Sequence, residues 1–211
     1  MAKPQSLFHD LSFPLLTRRL TLEPVDERAV PELWTALQDR EVTRTIPLPS
    51  QYTISDARQF VRSAQAALRD GSRLELAIRR RADGCFLGMV GLKILSREHA
   101  VGHLGYWIAR PFWGQGYATE AAATVYGLAF RTLKLHRLET GVFPGNERSI
   151  RILRGLGFQR EGVFREAYRI DGKWRDSLRF GVLSTDPRPS RARRPSPRKV
   201  TQRSPIVGGA G

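Results

Sequence analysis

The sequence predicts an α+β domain: a mixed, mostly antiparallel sheet of six to seven strands flanked by about four helices. Three observations carry that expectation. Two Asp-Gly pairs, Asp83-Gly84 and Asp171-Gly172, each stand between β-rich runs, the strongest short-range signal for a hairpin. Apolar residues recur with helical spacing in two segments of the first third of the chain. A strand–loop–helix–strand passage over residues 101–143 is long enough to lay two parallel strands side by side.

Taken in order, residues 18–23 (RRLTLE) read as a short strand. Ala29, Val30, Leu33, Trp34 and Leu37 place a helix over 26–38. A second helix over 55–69 gathers Ala57, Phe60, Val61, Ala64, Ala67 and Leu68 on one stripe. Thr53 with Asp56 three residues on resembles a capping box, and Gly71 ends the run. Strands follow over 74–80 and 85–95, joined at Asp83-Gly84, and a third over 101–108. An Ala-rich helix runs from about Thr119 to Arg131. Residues 136–143 form a strand and Ser149 to Leu156 a short helix. The last two strands, 158–170 and 173–183, flank Asp171-Gly172.

Composition excludes several classes. With 41% hydrophobic residues in 211, the chain can bury a core and is not wholly disordered. A lone cysteine, Cys85, excludes an internal disulfide and a Cys-rich zinc site, and fits a reducing cytoplasm. No run of about 18 apolar residues is present to span a membrane, and the first 16 residues lack the apolar core of a secretory signal, so the expected location is cytoplasmic. The net charge of +15 is unevenly spread. Residues 187–211 hold seven Lys/Arg, no Asp/Glu and five of the 13 prolines, which leaves 28 basic against 20 acidic residues, or +8, for the rest. Such a segment cannot build a core and is expected to be a disordered basic tail, either a solvated appendage or a loose contact for RNA or another polyanion.

The most informative stretch is GYWIARPFWGQGYATEAAATVYGLAF (105–130), a strand, a glycine-containing loop and a helix. Glycines let the backbone approach a ligand, and free N–H groups at a helix start suit a phosphate. Three phosphate sites compete. A P-loop requires a Lys that neither glycine is followed by. A dinucleotide fingerprint fits Gly114 and Gly116, with Glu139 about 23 residues on. It places Thr119 where a small residue is required, and the chain lacks the further parallel units of a doubly wound sheet. An acyl-CoA site is the third.

WGQGYATEA resembles the pyrophosphate loop of the GNAT acetyltransferase superfamily, Gln/Arg-x-x-Gly-x-Gly/Ala. Gly116 and Ala118 match, and Trp113 replaces the Gln or Arg. That replacement is familiar in the RimJ/RimL-type ribosomal-protein N-acetyltransferases. The chain resembles these also in LETGVFPGNERSIRILRGLGFQREG (138–162), with Asn-x-x-Ser at Asn146–Ser149, and in LLTRRLTLEPV (15–25). The ending FREAYRIDGKWRDSLRFGVL, with Trp174-Arg175-Asp176, is similar to the RimJ side. The resemblance implies a GNAT domain over 15–185, an N-terminal extension over 1–14 and the tail over 186–211. It implies a sheet splayed in the middle, with pantetheine between the strand of Gly105–Ile108 and that of Leu138–Phe143.

In this resemblance acetyl-CoA is the co-substrate and no metal is used. Trp107 and Ile108 supply the open strand edge. The backbone of Gly114, Gln115, Gly116, Tyr117 and Ala118 faces the pyrophosphate, with the Thr119 hydroxyl at the helix start. Asn146 meets a pantetheine amide or serves as a turn residue. Arg110 meets a phosphate or is solvated. Many relatives carry a Tyr that protonates the leaving thiolate, at the position of Leu153 here. Ser149 is the substitute, or else it caps the helix. Candidate bases are Tyr168, at the place of a Glu in RimL-type enzymes, with Glu166 on the same strand face if the strand is regular, and His103. Cys85 is a nucleophile only by default. The absence of an obvious carboxylate base leans toward an α-amine acceptor, which is about one tenth neutral at pH 7, whereas a lysine amine is neutral in fewer than about one molecule in a thousand. The expected acceptor is therefore a protein N-terminus, possible ribosomal proteins included. The rivals are a small-molecule amine such as an aminoglycoside, and a non-catalytic CoA- or RNA-binding module.

Overall fold

The computed structural model describes residues 6–49 and 51–187. One eight-stranded sheet has the order β1-β2-β3-β4-β5-β6-β8-β7. Strands β1 (Leu15–Leu16), β2 (Leu20–Pro24), β3 (Arg73–Arg80), β4 (Phe86–Ser96) and β5 (Val101–Ile108) pair antiparallel in succession. β5 then pairs in parallel with β6 (Arg137–Val142), and β6 pairs with β8 (Lys173–Leu183), whose hairpin partner is β7 (Gln159–Ile170). The β7–β8 turn is built from Asp171 and Gly172, both at positive φ (48° and 77°), the backbone that the Asp-Gly signal selects.

Helices α1 (Ala29–Ala36), α2 (Arg40–Thr43) and α3 (Ile54–Asp70) precede β3. α4 (Tyr117–Gly127), prolonged by a π turn over Leu128–Thr132, links β5 to β6. α5 (Glu147–Gly155) links β6 to β7. The sheet separates two apolar layers, as period-2 alternation requires. Leu74, Leu76 and Ile78 of β3 join Ala121, Val125, Ile150 and Leu153 of α4 and α5. Ala77 of β3 and Met89 of β4 join Val30, Leu33, Val61 and Ala64 of α1 and α3. Each fully buried leucine contributes about 1.5–3 kcal/mol of apolar burial.

The expected capping box is present: Thr53 Oγ1 accepts from Asp56 N–H at 3.2 Å, and Asp56 Oδ2 accepts from Thr53 N–H at 2.8 Å. Gly71 ends α3 at φ 73°. Four expectations shift. The two-residue β1 and the four-residue α2 fall in stretches without a readable period, which raises the counts among the described residues to eight strands and five helices. α4 starts at Tyr117 rather than Thr119, because Gly116 at φ 80° is its N-cap. α5 starts at Glu147, capped by Asn146, and not at Ser149. Residues 6–14, placed ahead of the domain, lie on it: Phe8 is buried in the core and Ser6 Oγ donates to Leu68 O at 2.8 Å. The basic segment 188–211 lies outside the described residues. Among the described residues no helix is long and apolar enough to cross a membrane.

One irregularity positions the site. β5 and β6 pair only where Val101–His103 face Arg137–Glu139. That end is drawn tight at Gly102, where a Cβ would approach Leu135 Cδ1 to 2.8 Å and Leu92 Cδ1 to 3.1 Å. Past His103 the strands part. β5 runs on to Ile108 and β6 to Val142 without pairing, so both strand edges keep unpaired backbone groups.

Candidate active site

The gap between the two strands is a cavity of about 540 Å³, lined by β5 (His103, Gly105–Ile108), β6 (Thr140–Val142), the start of α4 and the outer face of α5. That volume falls within the range of small-ligand sites. Its mouth is the loop ahead of α4. Gly114 and Gly116 take φ 76° and 80°, which brings the loop backbone round to the helix start. The first hydrogen bond of α4 runs from Glu120 N–H to Gly116 O at 3.1 Å, so the N–H groups of Tyr117, Ala118 and Thr119 precede the helical ladder and are open to a ligand. All three residues line the cavity.

The helix start is braced from the turn between β1 and β2. Glu120 accepts from Thr17 Oγ1 at 2.7 Å, Arg19 N–H at 2.9 Å and Arg19 Nε at 2.7 Å. Burial works against its charge, but these bonds prevail and hold its pKa below the ordinary value. Trp113, at the unusual loop position, donates its indole N–H to Ile108 O at 2.6 Å, and the Arg148 guanidinium lies 4.5 Å above its ring. Trp113 thus ties the loop to β5 and holds Arg148, which with Arg151 lines the cavity. Two expected cofactor contacts are not among the residues that line the cavity. Arg110 is mostly exposed and sits 3.8 Å from Asp39; Gln115, expected through its backbone N–H, has its side chain turned to Pro111 O at 3.2 Å and its carbonyl accepting from Arg19, and neither contact engages that N–H.

On α5, Asn146 and Ser149 both line the cavity. Asn146 Oδ1 accepts from Ser149 N–H at 3.2 Å, so Asn146 is the cap and Ser149 is not. The Ser149 hydroxyl instead hydrogen-bonds the Tyr106 hydroxyl across the gap at 3.0 Å. Burial pushes the Tyr106 phenol up to about 12, against the opposing hydrogen bond from Ser149. Tyr106 therefore keeps its proton. Either hydroxyl can donate, and Ser149 O at 3.4 Å is a second acceptor for the phenol; when Tyr106 donates to Ser149 Oγ, the serine's own hydrogen is left for a ligand. Leu153 is fully buried, so no tyrosine-like acid is available from its position.

The opposite wall holds His103, Trp107, Tyr168 and Ser177, with Thr45–Pro47 above. His103 is driven toward the neutral form first by burial, then by the Arg179 charge, with Glu139 opposing and Lys93 adding to the effect. Tyr168 stacks edge-on to Phe143, at 5.6 Å between ring centres. Glu166 is not beside it. The β7 register breaks between Phe164 and Tyr168, and Glu166 sits exposed at φ 51°. Ser177 is buried, and its hydroxyl has no hydrogen-bond partner among the described residues. Cys85 is not in the cavity wall. Sequence reasoning overlooked Tyr106, Arg148, Arg151 and Ser177. Only the i, i+3 spacing of the two arginines on α5 was there to be read.

The acetyltransferase (GNAT) domain family matches residues 19–159. The uncharacterized N-acetyltransferase YoaA of Bacillus subtilis is 31% identical over 172 residues, 81% of this chain and 97% of that protein. The [ribosomal protein uS5]-alanine N-acetyltransferase of Escherichia coli is 35% identical over 89 residues, 42% of this chain and 46% of that protein. Among solved structures, Mycobacterium smegmatis RimJ in complex with CoA-disulfide superposes with a TM-score of 0.69 at 26% identity, covering 78% of this chain and 81% of that one.

Proposed function

The chain belongs to the acetyltransferase (GNAT) domain family and is an acetyl-CoA-dependent N-acetyltransferase, and on that premise we propose that its acceptor is the N-terminal α-amine of a protein, a ribosomal protein in the first instance. The observation that carries the reading is the cleft that opens where β5 and β6 stop pairing, with the glycine loop and the free N–H groups of α4 at its mouth. The residues present fit the co-substrate. Loop N–H groups and the Arg148 and Arg151 cations suit a diphosphate, while the unpaired edge of β5 suits an amide chain. The orphaned Ser177 hydroxyl asks for a polar partner.

Acetyl-CoA supplies a thioester carbonyl that a neutral amine attacks, with the thiolate leaving. The protein's part is to bind, orient and manage protons. Asn146, its Oδ1 engaged in the cap, has its amide nitrogen to donate to the pantetheine arm. Ser149, held by Tyr106, offers its hydroxyl hydrogen to the departing sulfur. His103, Tyr168 and Ser177 form the acceptor side. The likeness to RimJ and to the uS5-alanine enzyme supports a protein N-terminus as acceptor. The cavity wall supports it as well: its charged members among the described residues are Arg148 and Arg151, a poor lining for an aminoglycoside or another polycation.

The test is a transfer assay. Peptides bearing free ribosomal-protein N-termini, spermidine and an aminoglycoside are each offered with acetyl-CoA, and the products are identified by mass spectrometry. Acetylation confined to peptide α-amines supports the proposal; preferential acetylation of either polycation overturns it.

A further inference from the structure

The face of the sheet under α1 and α3 carries a row of glycines that points to a carboxylate outside the cavity wall. Registers place Glu75 of β3 beside Gly91 of β4, and Gly91 beside Gly105 of β5. Gly105 lines the cavity. The Glu75 side chain lies along this row, since a Cβ on Gly91 would collide with Glu75 Oε2. A Cβ on Gly105 would meet nothing nearer than His103 Cε1, at 3.8 Å, so the floor between Glu75 and the cavity is bare backbone.

Glu75 is also poorly satisfied. No side chain or backbone group among the described residues is hydrogen-bonded to its carboxylate. Its ion pair with Arg73 is long, at 3.6 Å, and Arg73 Nε itself lacks a hydrogen bond. The side chain nevertheless keeps 18% of its surface open. A half-buried carboxylate held this loosely gains little from its ion pair, because such pairs stabilise only with good geometry and full hydrogen bonding. The charged or titratable groups on the same face are Arg73 and Arg79 of its own strand, Glu23 of β2, Lys93 of β4, His103 of β5 and Glu139 of β6. From the covering helices come Glu32, which pairs with Arg79, Ser63, which holds Arg73, and the apolar Val30, Leu33, Val61 and Ala64.

We propose that Glu75 receives the proton shed by the acceptor ammonium, relayed through a water molecule along the Gly91–Gly105 row. The proposal rests on the acetyl-transfer reading and supplies the proton acceptor that reading lacks. The step balances: the ammonium gives one proton to the Glu75 carboxylate and becomes an amine. The amine nitrogen forms a bond to the acyl carbon as the carbon–sulfur bond breaks. The second nitrogen proton offsets the one that Ser149 gives to the thiolate, and Glu75 returns its proton to solvent. Burial raises the Glu75 carboxyl to about 7, with Arg73 opposing, so its affinity for a proton comes close to that of an α-amine. His103, already biased toward neutrality, is the poorer store.

The experiment measures kcat against pH for a peptide α-amine, with acetyl-CoA affinity followed by calorimetry. Wild type should show a rising limb near pH 7. Glu75→Gln should lose that limb and about 10²–10³-fold in kcat at pH 7, at unchanged acetyl-CoA affinity. Glu75→Asp should recover part of the rate. A Glu75→Gln kcat within threefold of wild type, with the limb intact, overturns the proposal. Should Glu75→Gln fail to fold, His103→Asn decides: the limb must survive there, and its loss assigns the proton to His103 instead. Failure of wild type to bind acetyl-CoA or to acetylate any amine strikes the parent reading and not the role of Glu75.

Discussion

The contact between Tyr106 and Ser149 makes a quantitative demand. Their hydroxyls meet at 3.0 Å across the gap between β5 and α5. The phenol, raised to about 12, stays protonated; when Tyr106 is the donor of the pair, the serine hydrogen is free for the sulfur. Ser149→Ala removes the donor itself and should lower kcat 10–100-fold, which is about 1.4–2.7 kcal/mol of transition-state stabilisation. Tyr106→Phe keeps the serine but frees its rotor. It should cost about 10-fold, or 1.4 kcal/mol, together with roughly 1 kcal/mol of stability for the lost hydrogen bond. If the two act as one unit, the double variant should be no slower than Ser149→Ala, a coupling of about 1.4 kcal/mol in the cycle. Steady-state kinetics of the four proteins, with acetyl-CoA affinity checked by calorimetry, reads this directly. Effects that add to within about 0.5 kcal/mol would refute the coupled hydroxyls. An unchanged kcat in Ser149→Ala would remove the serine from the chemistry altogether.

Three further outcomes follow from the geometry. Gly116→Glu places a side chain at φ 80° and a carboxylate at the mouth of the helix start, so acetyl-CoA binding should vanish while circular dichroism stays native; unchanged affinity in calorimetry would move the diphosphate elsewhere. Asn146→Ala removes the cap of α5 and should cost about 1 kcal/mol in denaturant unfolding, whereas Ser149→Ala should cost no helix cap at all; the reverse ranking would restore Ser149 as the cap. Glu120 is held below its ordinary carboxylate pKa in the folded protein, so its contribution to stability is complete above about pH 4.5 and is lost as pH falls through the lower folded value; Glu120→Gln should flatten that part of the acid unfolding curve, and an unchanged acid limb would show the brace to Arg19 and Thr17 to be energetically idle.

What could be read from the sequence had local causes. The Asp171-Gly172 turn and the Thr53–Asp56 box are fixed by residues within four positions of one another, and both stand in the structure as their chemistry dictates. The α5 start was misplaced for an equally local reason. Asn146 and Ser149 are both good caps three residues apart, and the Pro144-Gly145 turn decides between them by fixing Asn146 N–H on Phe143 O at 3.2 Å. Side-chain direction is a different matter. Arg110 has the right chemistry for a phosphate, yet its guanidinium lies 3.8 Å from Asp39, 71 positions earlier, and outside the cavity wall. The period-2 argument that put Glu166 beside Tyr168 failed at one register break in β7.

The remaining site residues depend on the strand gap itself. Tyr106 finds Ser149 only because β5 has lost its neighbour beyond His103, which leaves room for a side chain of α5 to reach across. Trp113, which looked like a departure from the loop pattern, turns its indole onto Ile108 O and carries Arg148 over its ring. A cation reached through an aromatic can thus serve where the pattern would supply a polar side chain directly. Glycine follows the same logic in two directions. At Gly102 leucine methyls close over the backbone where β5 and β6 pair, and at Gly91 the Glu75 carboxylate does so, while Gly105 is left uncovered. A single pair of strands is pinched at one end and parted at the other. The parted end exposes strand edges and a helix start to one small volume, and a co-substrate with an amide chain and a diphosphate needs both.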